Sequence, residues 1–292
     1  MLSVSWWCSA TGEAWTWHWR AYPGVWLFVV GMVAAYARLA WPRRRQPAER
    51  PSARSYGLGA AGLVLIWILL DWPVGTLGSG YLMAVHAAQF LAFSFLVPPL
   101  LFGGISPDRW ARLEARAGRR AAFRVATHPL ITGVAFNLIA IVTHVPSVVD
   151  GLMSAQLGAF AIDLAWIFGG IAFWWPVLAP VPARAGGGLV KIGYLFVASM
   201  VHSGLGMWLL LSRFPAYATY ELAPPIGGRS IMADQAMAGG VMELFGGLIV
   251  LGAIAIVFFR WAREEETDTV PVRTEPPPTV ATIGGGVSST PD

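Results

Sequence analysis

Side chains that could bind a metal ion interrupt several long apolar stretches of this sequence. They are three histidines, two carboxylates, two amides and one thioether: His86, His144, His202, Asp163, Asp234, Gln89, Gln235 and Met83. An ionisable group inside a bilayer costs several kcal/mol, so each of these positions is a functional candidate if the stretches cross a membrane. Imidazole and thioether ligands suit copper. We predict a copper site at His86, His202, His144, Asp163 and Met83, supported by the two amides and Asp234.

The composition excludes most soluble classes of protein. The chain has 292 residues, of which 56% are hydrophobic and only 12% are charged. Its net charge of +4 comes from basic residues grouped in short blocks between apolar runs, so we predict no nucleic-acid partner. The single cysteine, Cys8, excludes an intrachain disulfide and any multi-cysteine metal site. Metal chemistry would then depend on His, Met and carboxylates.

Seven apolar segments approach the length needed to cross about 30 Å of hydrocarbon. We therefore predict an all-α, polytopic membrane helix bundle with about seven transmembrane helices. The predicted spans are Val25–Ala40, Tyr56–Leu70, Tyr81–Gly103, Pro129–Val145, Ala155–Val177, Leu189–Leu211 and Ala233–Trp261.

The distribution of basic residues predicts the orientation of these spans. Arginine is retained in short cytoplasmic loops. Alternate connections are rich in arginine or lysine, and they contain Arg43, Arg44, Arg45, Arg50, Arg54, Arg109, Arg112, Arg116, Arg119, Arg120, Arg124, Arg184, Lys191, Arg260 and Arg263. The opposite side has only Arg20, Arg213 and Arg229. We predict a multi-pass protein of the cell membrane with its amino terminus outside and its carboxyl terminus inside, and the candidate metal ligands in the outer half.

Three regions follow from this reading. Residues 1–24 form an extracytoplasmic, Trp-rich segment, residues 25–263 the transmembrane domain, and residues 264–292 a disordered cytoplasmic tail rich in Pro, Gly, Thr and acidic residues. The basic stretch Pro107–Arg124 has apolar residues at helical spacing, which favours an amphipathic helix on the inner surface, with a solvated loop as the alternative.

Several other residues have weaker claims to the site. Asp163 could be a ligand, a proton site or a partner of His202 or His144, because a lone carboxylate in an apolar helix needs a role. Met207, Met237 and Met242 lie near the same layer, although methionine commonly fills gaps in apolar cores. Outside the spans, His128 is expected to be structural and His18 to belong to an interfacial aromatic belt, with transient metal handling by His18 or Cys8 as the alternative.

Four stretches of the sequence resemble a known family. They are HAAQFLAFSFLVPPLLFGGISP, THPLITGVAFNLIAIVTHVPSVVDGLM, FWWP, and DQAMAGGVMELFGGLIVLGAIAIVFFRWAREEE. Together they resemble the seven-span CtaG-like cytochrome c oxidase assembly proteins of bacteria, over about residues 58–266. The Asp-Gln-x-x-Ala-Gly pattern of Asp234, Gln235, Ala238 and Gly239 is specific when it is joined to the His-x-x-Gln pattern of His86 and Gln89 and to Phe173, Trp174, Trp175 and Pro176.

This resemblance implies a role in maturing a haem–copper oxidase, by handling copper at the outer side of the membrane. The implied partners are a cytochrome c oxidase subunit or a copper chaperone, together with membrane lipids. Two positions depart from the family pattern, because Phe90 stands where a second histidine is usual in span three and Asp163 where a histidine is typical of span five.

We expect an accessory protein rather than an enzyme. A metal-free scaffold for an oxidase subunit and a metal or ion transporter remain as alternatives. A hydrolase is disfavoured because His202 and Ser203 are sequence neighbours, and neighbours on a helix point about 100° apart. A retinal photoreceptor would need a lysine within the bundle, whereas Lys191 lies at the inner edge of span six.

Overall fold

The protein was analysed as a computed structural model that describes residues 5–41, 51–117, 121–179 and 187–269. Within these ranges all regular secondary structure is helical, which confirms the predicted fold class. The helices are α1 (Pro23–Ala40), α2 (Ala53–Leu70), α3 (Val74–Gly80), α4 (Met83–Gly103), α5 (Pro107–Ala117), α6 (Ala121–Ala126), α7 (Pro129–Val142), α8 (Pro146–Met153), α9 (Gln156–Leu178), α10 (Gly188–Leu211), α11 (Ala218–Glu221) and α12, which begins at Ile231 and ends with Gly247–Thr269.

Among the described residues, six helices are long and apolar enough to cross a membrane, and the number is seven if one bent pair of helices is counted as a single span. The pair is α7 and α8, whose axes differ by 74°. Pro146 explains the bend, because a proline disfavours helical geometry at the residue before it, and Val145 is extended with φ −68° and ψ 126°. The predicted span to Val145 therefore ends at Val142, and His144 lies at the bend.

The helices alternate in direction, so the bundle has two distinct ends. We call the end with Arg38, Arg109, Lys191 and Arg260 the arginine-rich end, and the other the N-terminal end. Helix α5 lies at the arginine-rich end, where Arg109 Nε donates to the carbonyl of Leu39 at 2.7 Å. Trp110 stacks on Phe102 with ring centroids 5.2 Å apart. The amphipathic stretch is thus helical, as α5 and α6, with residues 118–120 outside the described ranges.

Helices α4 and α12 each contain one π-helical turn, at Ala92–Leu96 and Met242–Gly246. A π turn widens the helix and leaves backbone groups without their usual partners. In the π turn of α4, the backbone carbonyl of Ser94 accepts a hydrogen bond from Trp174 Nε1 of α9, at 3.1 Å. Gly170 makes this contact possible, since a Cβ there would lie 2.6 Å from the Ser94 oxygen. The sequence did not predict either π turn, because such turns depend on packing between helices.

The amino-terminal segment packs into the N-terminal end of the bundle. The backbone N–H groups of Trp6 and Trp7 donate to Gln156 Oε1, and Ala10 N–H donates to the carbonyl of Met153 at 2.9 Å. Trp7 and Cys8 are almost fully buried. At the opposite terminus, α12 continues to Thr269, past the predicted start of the tail at residue 264, and residues 270–292 lie outside the described ranges.

Candidate functional site at the N-terminal end

A small buried cavity lies where the amino-terminal segment meets α3, α4 and α9. Its volume is about 10 Å³, and its walls are Cys8, Gly75, Ser79, His86, Gln89, Met153, Ala159 and Asp163. A space of this size holds about one water molecule or one small ion. Three of the predicted site residues, His86, Gln89 and Asp163, therefore share one cavity with a thiol and a thioether.

His86 has a free nitrogen in this buried region. It lies in the first turn of α4, with its ring 4.7 Å from Trp166 and 5.7 Å from Tyr220, measured between centroids. The side chain is only 5% exposed, and Nε2 has no hydrogen-bond partner among the described residues. Buried polar atoms are nearly always hydrogen-bonded. The exception at His86 leaves a nitrogen that can bind a water molecule or a metal ion.

Asp163 is held by the amino-terminal segment and not by a histidine. Its Oδ2 accepts a hydrogen bond from Trp7 Nε1 at 2.8 Å. Of the three alternatives for Asp163, the one that made His202 or His144 its partner is not what the structure shows. The partner lies 156 residues away in sequence, in a segment predicted to be an aromatic belt at the membrane surface, so no local pattern could have revealed it.

Cys8 reaches the cavity because its neighbours make room for it. Its Sγ donates to the carbonyl of Leu70 at 3.3 Å and lies 3.6 Å from Thr76 Oγ1. A Cβ at Gly75 would come within 2.9 Å of the sulfur, so a glycine is required at that position. Burial raises the pKa of the Cys8 thiol, which is therefore neutral at pH 7. His18, in contrast, is exposed on the surface of the same segment.

The two predicted supporting amides connect segments of the fold. Gln89 Nε2 donates to the carbonyl of Leu69 at 2.6 Å, which joins α4 to the end of α2. Gln235 accepts from the N–H of Ala216 at 2.7 Å and donates to the carbonyl of Phe214 at 3.1 Å. Gln235 thus fixes the connection that follows α10.

Asp234 caps a neighbouring helix. Its carboxylate accepts hydrogen bonds from the backbone N–H groups of Met83 and Ala84, the first residues of α4. A carboxylate at a helix N-terminus is stabilised by the free N–H groups and by the helix dipole. Arg229 lies on the outer side of this cap, with its NH1 3.7 Å from Asp234 Oδ1. The predicted supporting role of Asp234 is thus a structural one in α4, the helix that carries His86.

His144 is buried but does not line the cavity. A carbonyl only accepts hydrogen bonds, so His144 Nδ1 donates to the carbonyl of Ala140, at 2.7 Å. The His144 ring packs against Phe90 and Trp166 with centroid distances of 4.8 and 6.2 Å. His86 contacts the same tryptophan, with ring centroids 4.7 Å apart, so both histidines pack on Trp166 although only His86 lines the cavity.

His202 lies deeper in the bundle, between the two π turns. Its ring centroid is 5.0 Å from that of Phe95 in the first π turn. A Cβ at Gly246, in the second π turn, would lie 2.6 Å from His202 Nε2. Both ring nitrogens are buried and lack hydrogen-bond partners among the described residues. π turns often occur at functional sites, which makes this a second polar cluster distinct from the cavity.

Glu243 belongs to this second cluster and was missed by the sequence analysis. Its Oε2 accepts from Ser203 Oγ at 2.7 Å, and its Oε1 is buried without a partner among the described residues. Gly206 gives the carboxylate its space, because a Cβ there would lie 2.7 Å from Oε1. The argument that singled out Asp163, a lone carboxylate in an apolar helix, applies equally to Glu243.

The candidate methionines divide between the core and the surface. Met83 and Met242 are fully buried, but neither lines the cavity that contains His86. Met207 and Met237 are 43% and 44% exposed. Met237 lies three residues after Asp234 but is exposed, whereas Asp234 is buried. The methionine at the cavity is Met153, in the short helix α8 that the sequence analysis did not predict.

No preformed metal cage exists among the residues that the structure describes. No three or more His, Cys, Asp or Glu side chains are placed to hold one ion together. The predicted ligands instead divide into two groups. His86 and Asp163 line the cavity, and His202 lies in the second cluster. His144 belongs to neither group and packs on Phe90 and Trp166. A copper site made of all five predicted ligands would therefore require a rearrangement of the bundle.

Comparison with known proteins identifies the family. Residues 34–264 match the model of the Cytochrome c oxidase caa3 assembly factor family (Caa3_CtaG). The chain belongs to this family. A search of curated proteins and a search of solved structures found no significant match. Membership in an oxidase assembly family and the apolar helices together establish a multi-pass membrane protein with a role in cytochrome c oxidase assembly.

Phe90 and Asp163, the two positions where the resemblance implied a histidine, both lie beside candidate ligands. Phe90 is fully buried, with its ring 4.8 Å from His144 and 5.4 Å from Trp166. Its apolar ring fills the space between α4 and α9. Asp163 accepts the Trp7 hydrogen bond, so its carboxylate has a defined structural partner in this chain.

Proposed function

We propose that this assembly factor holds Cu(I) transiently between Cys8 and His86, with Met153 on the same cavity wall, during maturation of a haem–copper cytochrome c oxidase. Copper is the cargo in this proposal, and a copper chaperone and an oxidase subunit are the exchange partners. The observation that carries the proposal is the free, buried Nε2 of His86 beside a thiol and a thioether. The arginine distribution supports an outer location for this end of the bundle.

The chemistry of the cavity walls favours Cu(I) over other cargo. Thiolate, thioether and imidazole are soft or intermediate ligands that select Cu(I). The small volume accepts a bare ion and excludes a hydrated one. Because the Cys8 thiol is neutral, Cu(I) binding releases its proton as the Cu–S bond forms. The low number of ligands suits a site that must give up its ion again.

The amino-terminal segment forms a cover over this cavity. Trp7 of this segment donates a hydrogen bond to Asp163, and Cys8 belongs to the segment as well. Displacement of residues 5–10 would therefore open the cavity and remove the Cys8 ligand at the same time. The segment is held by hydrogen bonds to α2, α8 and α9 and by aromatic contacts with Phe28 and Phe160. Local opening of such a segment costs much less than unfolding of the bundle. Opening would expose the site to a partner without disturbing the transmembrane helices.

Oxidase maturation in cells lacking the native chain tests this function. A His86→Ala variant should give an oxidase that is inserted but deficient in copper and activity. A His18→Ala variant removes an exposed histidine from the same end and is the matched control, with wild-type activity expected. Equal oxidase copper content in the His86→Ala and wild-type strains, at equal protein abundance, would contradict the proposal.

A metal-free scaffold for an oxidase subunit is the second candidate, favoured by the absence of a preformed three-ligand set among the described residues. It predicts that His86→Ala leaves maturation intact while changes on the lipid-facing helices impair it. A transporter is less favoured, because the cavity is small and is covered by the amino-terminal segment.

A further inference from the structure

A large groove opens on the bundle surface at the arginine-rich end, far from the candidate metal site. Its volume is about 850 Å³, and it is formed by residues of α2, α4, α9, α10 and α12. Its walls are apolar for most of their length, with Leu96, Leu248 and Ile256 on the rim at 41%, 56% and 62% exposure. Exposed apolar side chains at this depth face lipid chains. Phe95 separates the groove from His202, because its ring belongs to the groove wall and packs on the histidine.

Two cations from different helices stand at one end of this groove. Lys191 belongs to the first turn of α10, and Arg260 to the last part of α12. One carboxylate, Glu264, lies on the groove wall near them, so the basic charge is in excess. Gly187, which precedes the first turn of α10, has open space around it among the described residues, and a helix N-terminus attracts anions. This end of the groove is complementary to an anion at the membrane surface.

The distribution of charge along the groove favours a lipid over a protein helix. The charged residues of its wall are Lys191, Arg260 and Glu264, and the remaining lining is almost entirely apolar. A phospholipid has the same division, with an anionic headgroup at one end and apolar acyl chains over the rest. Acyl chains are also thin and flexible, so they can follow the uneven walls of such a groove.

We propose that this groove binds one anionic phospholipid, with its acyl chains along the apolar walls and its phosphate between Lys191 and Arg260. Basic pockets between transmembrane helices at the cytoplasmic side are a known mode of recognising anionic headgroups. A lipid in this position would fill the space between α10, α12 and α4 and support Phe95 against His202. The proposal does not depend on copper binding, and it adds a specific lipid to the partners of this family member.

Native mass spectrometry of the full chain, exchanged into phosphatidylglycerol or phosphatidylcholine with identical chains, tests the proposal. The wild type should retain one phosphatidylglycerol in preference to phosphatidylcholine. A Lys191→Gln, Arg260→Gln double variant should lose that preference, by about fivefold per cation. The matched control is Arg38→Gln, which removes an exposed cation at the same end but outside the groove and should keep the preference. Equal retention of both lipids by the wild type would overturn the proposal.

A second pair of variants tests the acyl-chain part. Gly252 lies on the groove wall with open space around it, so Gly252→Phe should fill the groove without disturbing the helix packing. Its matched control is Gly247→Phe, on the same helix with equally open space but outside the groove. Loss of lipid in the first variant alone supports the proposal, and equal retention in both contradicts it. A photoreactive side chain at position 252 that captures a polypeptide in cells, and not a lipid, would also overturn it.

Discussion

The hydrogen bond between Trp7 and Asp163 should control how often the amino-terminal segment opens. It is 2.8 Å long, and Trp7 is only 1% exposed. A Trp7→Phe change keeps most of the aromatic packing but removes the N–H donor, which leaves a buried carboxyl group without this partner. An orphaned buried acceptor costs about 1–3 kcal/mol. That cost raises the open fraction of the segment by about 5- to 150-fold.

Alkylation of Cys8 in isolated membranes measures this opening. Cys8 is the only cysteine of the chain and is buried beneath the segment, so a small maleimide reacts when the segment opens. We expect the alkylation rate of Trp7→Phe to exceed that of the wild type by the factor given above.

Two controls distinguish the hydrogen bond from a general loosening of the segment. Trp17→Phe changes a tryptophan that is 69% exposed in the same segment and should leave the rate unchanged. Asp163→Asn retains an oxygen that can accept from Trp7 and should stay close to wild type. A Trp7→Phe rate within twofold of wild type would refute the proposed role of this bond in closing the segment.

Three further predictions follow from other contacts. The alkylation rate of Cys8 should rise about tenfold per pH unit and should continue to rise above pH 8.5, where the rate of a free thiol reaches a plateau. The reason is that burial raises the pKa of the thiol in the closed segment, so the proton leaves only when the segment opens. The denatured chain is the control, and its alkylation rate should reach that plateau. Asp234→Ala removes the cap of α4 and should lower the free energy of unfolding by about 0.5–2 kcal/mol, measured by denaturation in detergent; an unchanged value would contradict the capping role. Gly246→Ala places a methyl group against His202 and should lower the free energy of unfolding by about 1–3 kcal/mol. Gly240→Ala, in open space on the same helix, is the control and should leave the free energy of unfolding unchanged. Equal stabilities of the two variants in the same denaturation assay would contradict a tight contact at Gly246.

The transmembrane architecture could be predicted from sequence because it depends on local properties. Hydrophobic length determined the spans, and the His144–Val145–Pro146 stretch carried the signal for the bend between α7 and α8. The predicted orientation depends on arginine positions and stays a prediction.

The composition of the site was harder to predict because its contacts are long-range. Trp7 and Cys8 resemble residues of an interfacial aromatic segment in composition, and only the folded chain brings them to Asp163 and His86. The histidines were predicted as one cluster because their depths along the helices are similar. Only His86 lines the cavity, whereas His144 packs on Phe90 and Trp166 and His202 packs on Phe95, and such packing is not encoded in any local spacing.

Anaerobic Cu(I) titration of the purified full-length protein against a competing chelator tests the central claim most directly. Wild type, His86→Ala and the matched His18→Ala control should be compared at equal concentration. We predict saturable binding of about one Cu(I) per chain that is lost in His86→Ala and retained in His18→Ala. The absence of saturable binding in the wild type, or unchanged binding in His86→Ala, would contradict the claim that this cavity holds copper.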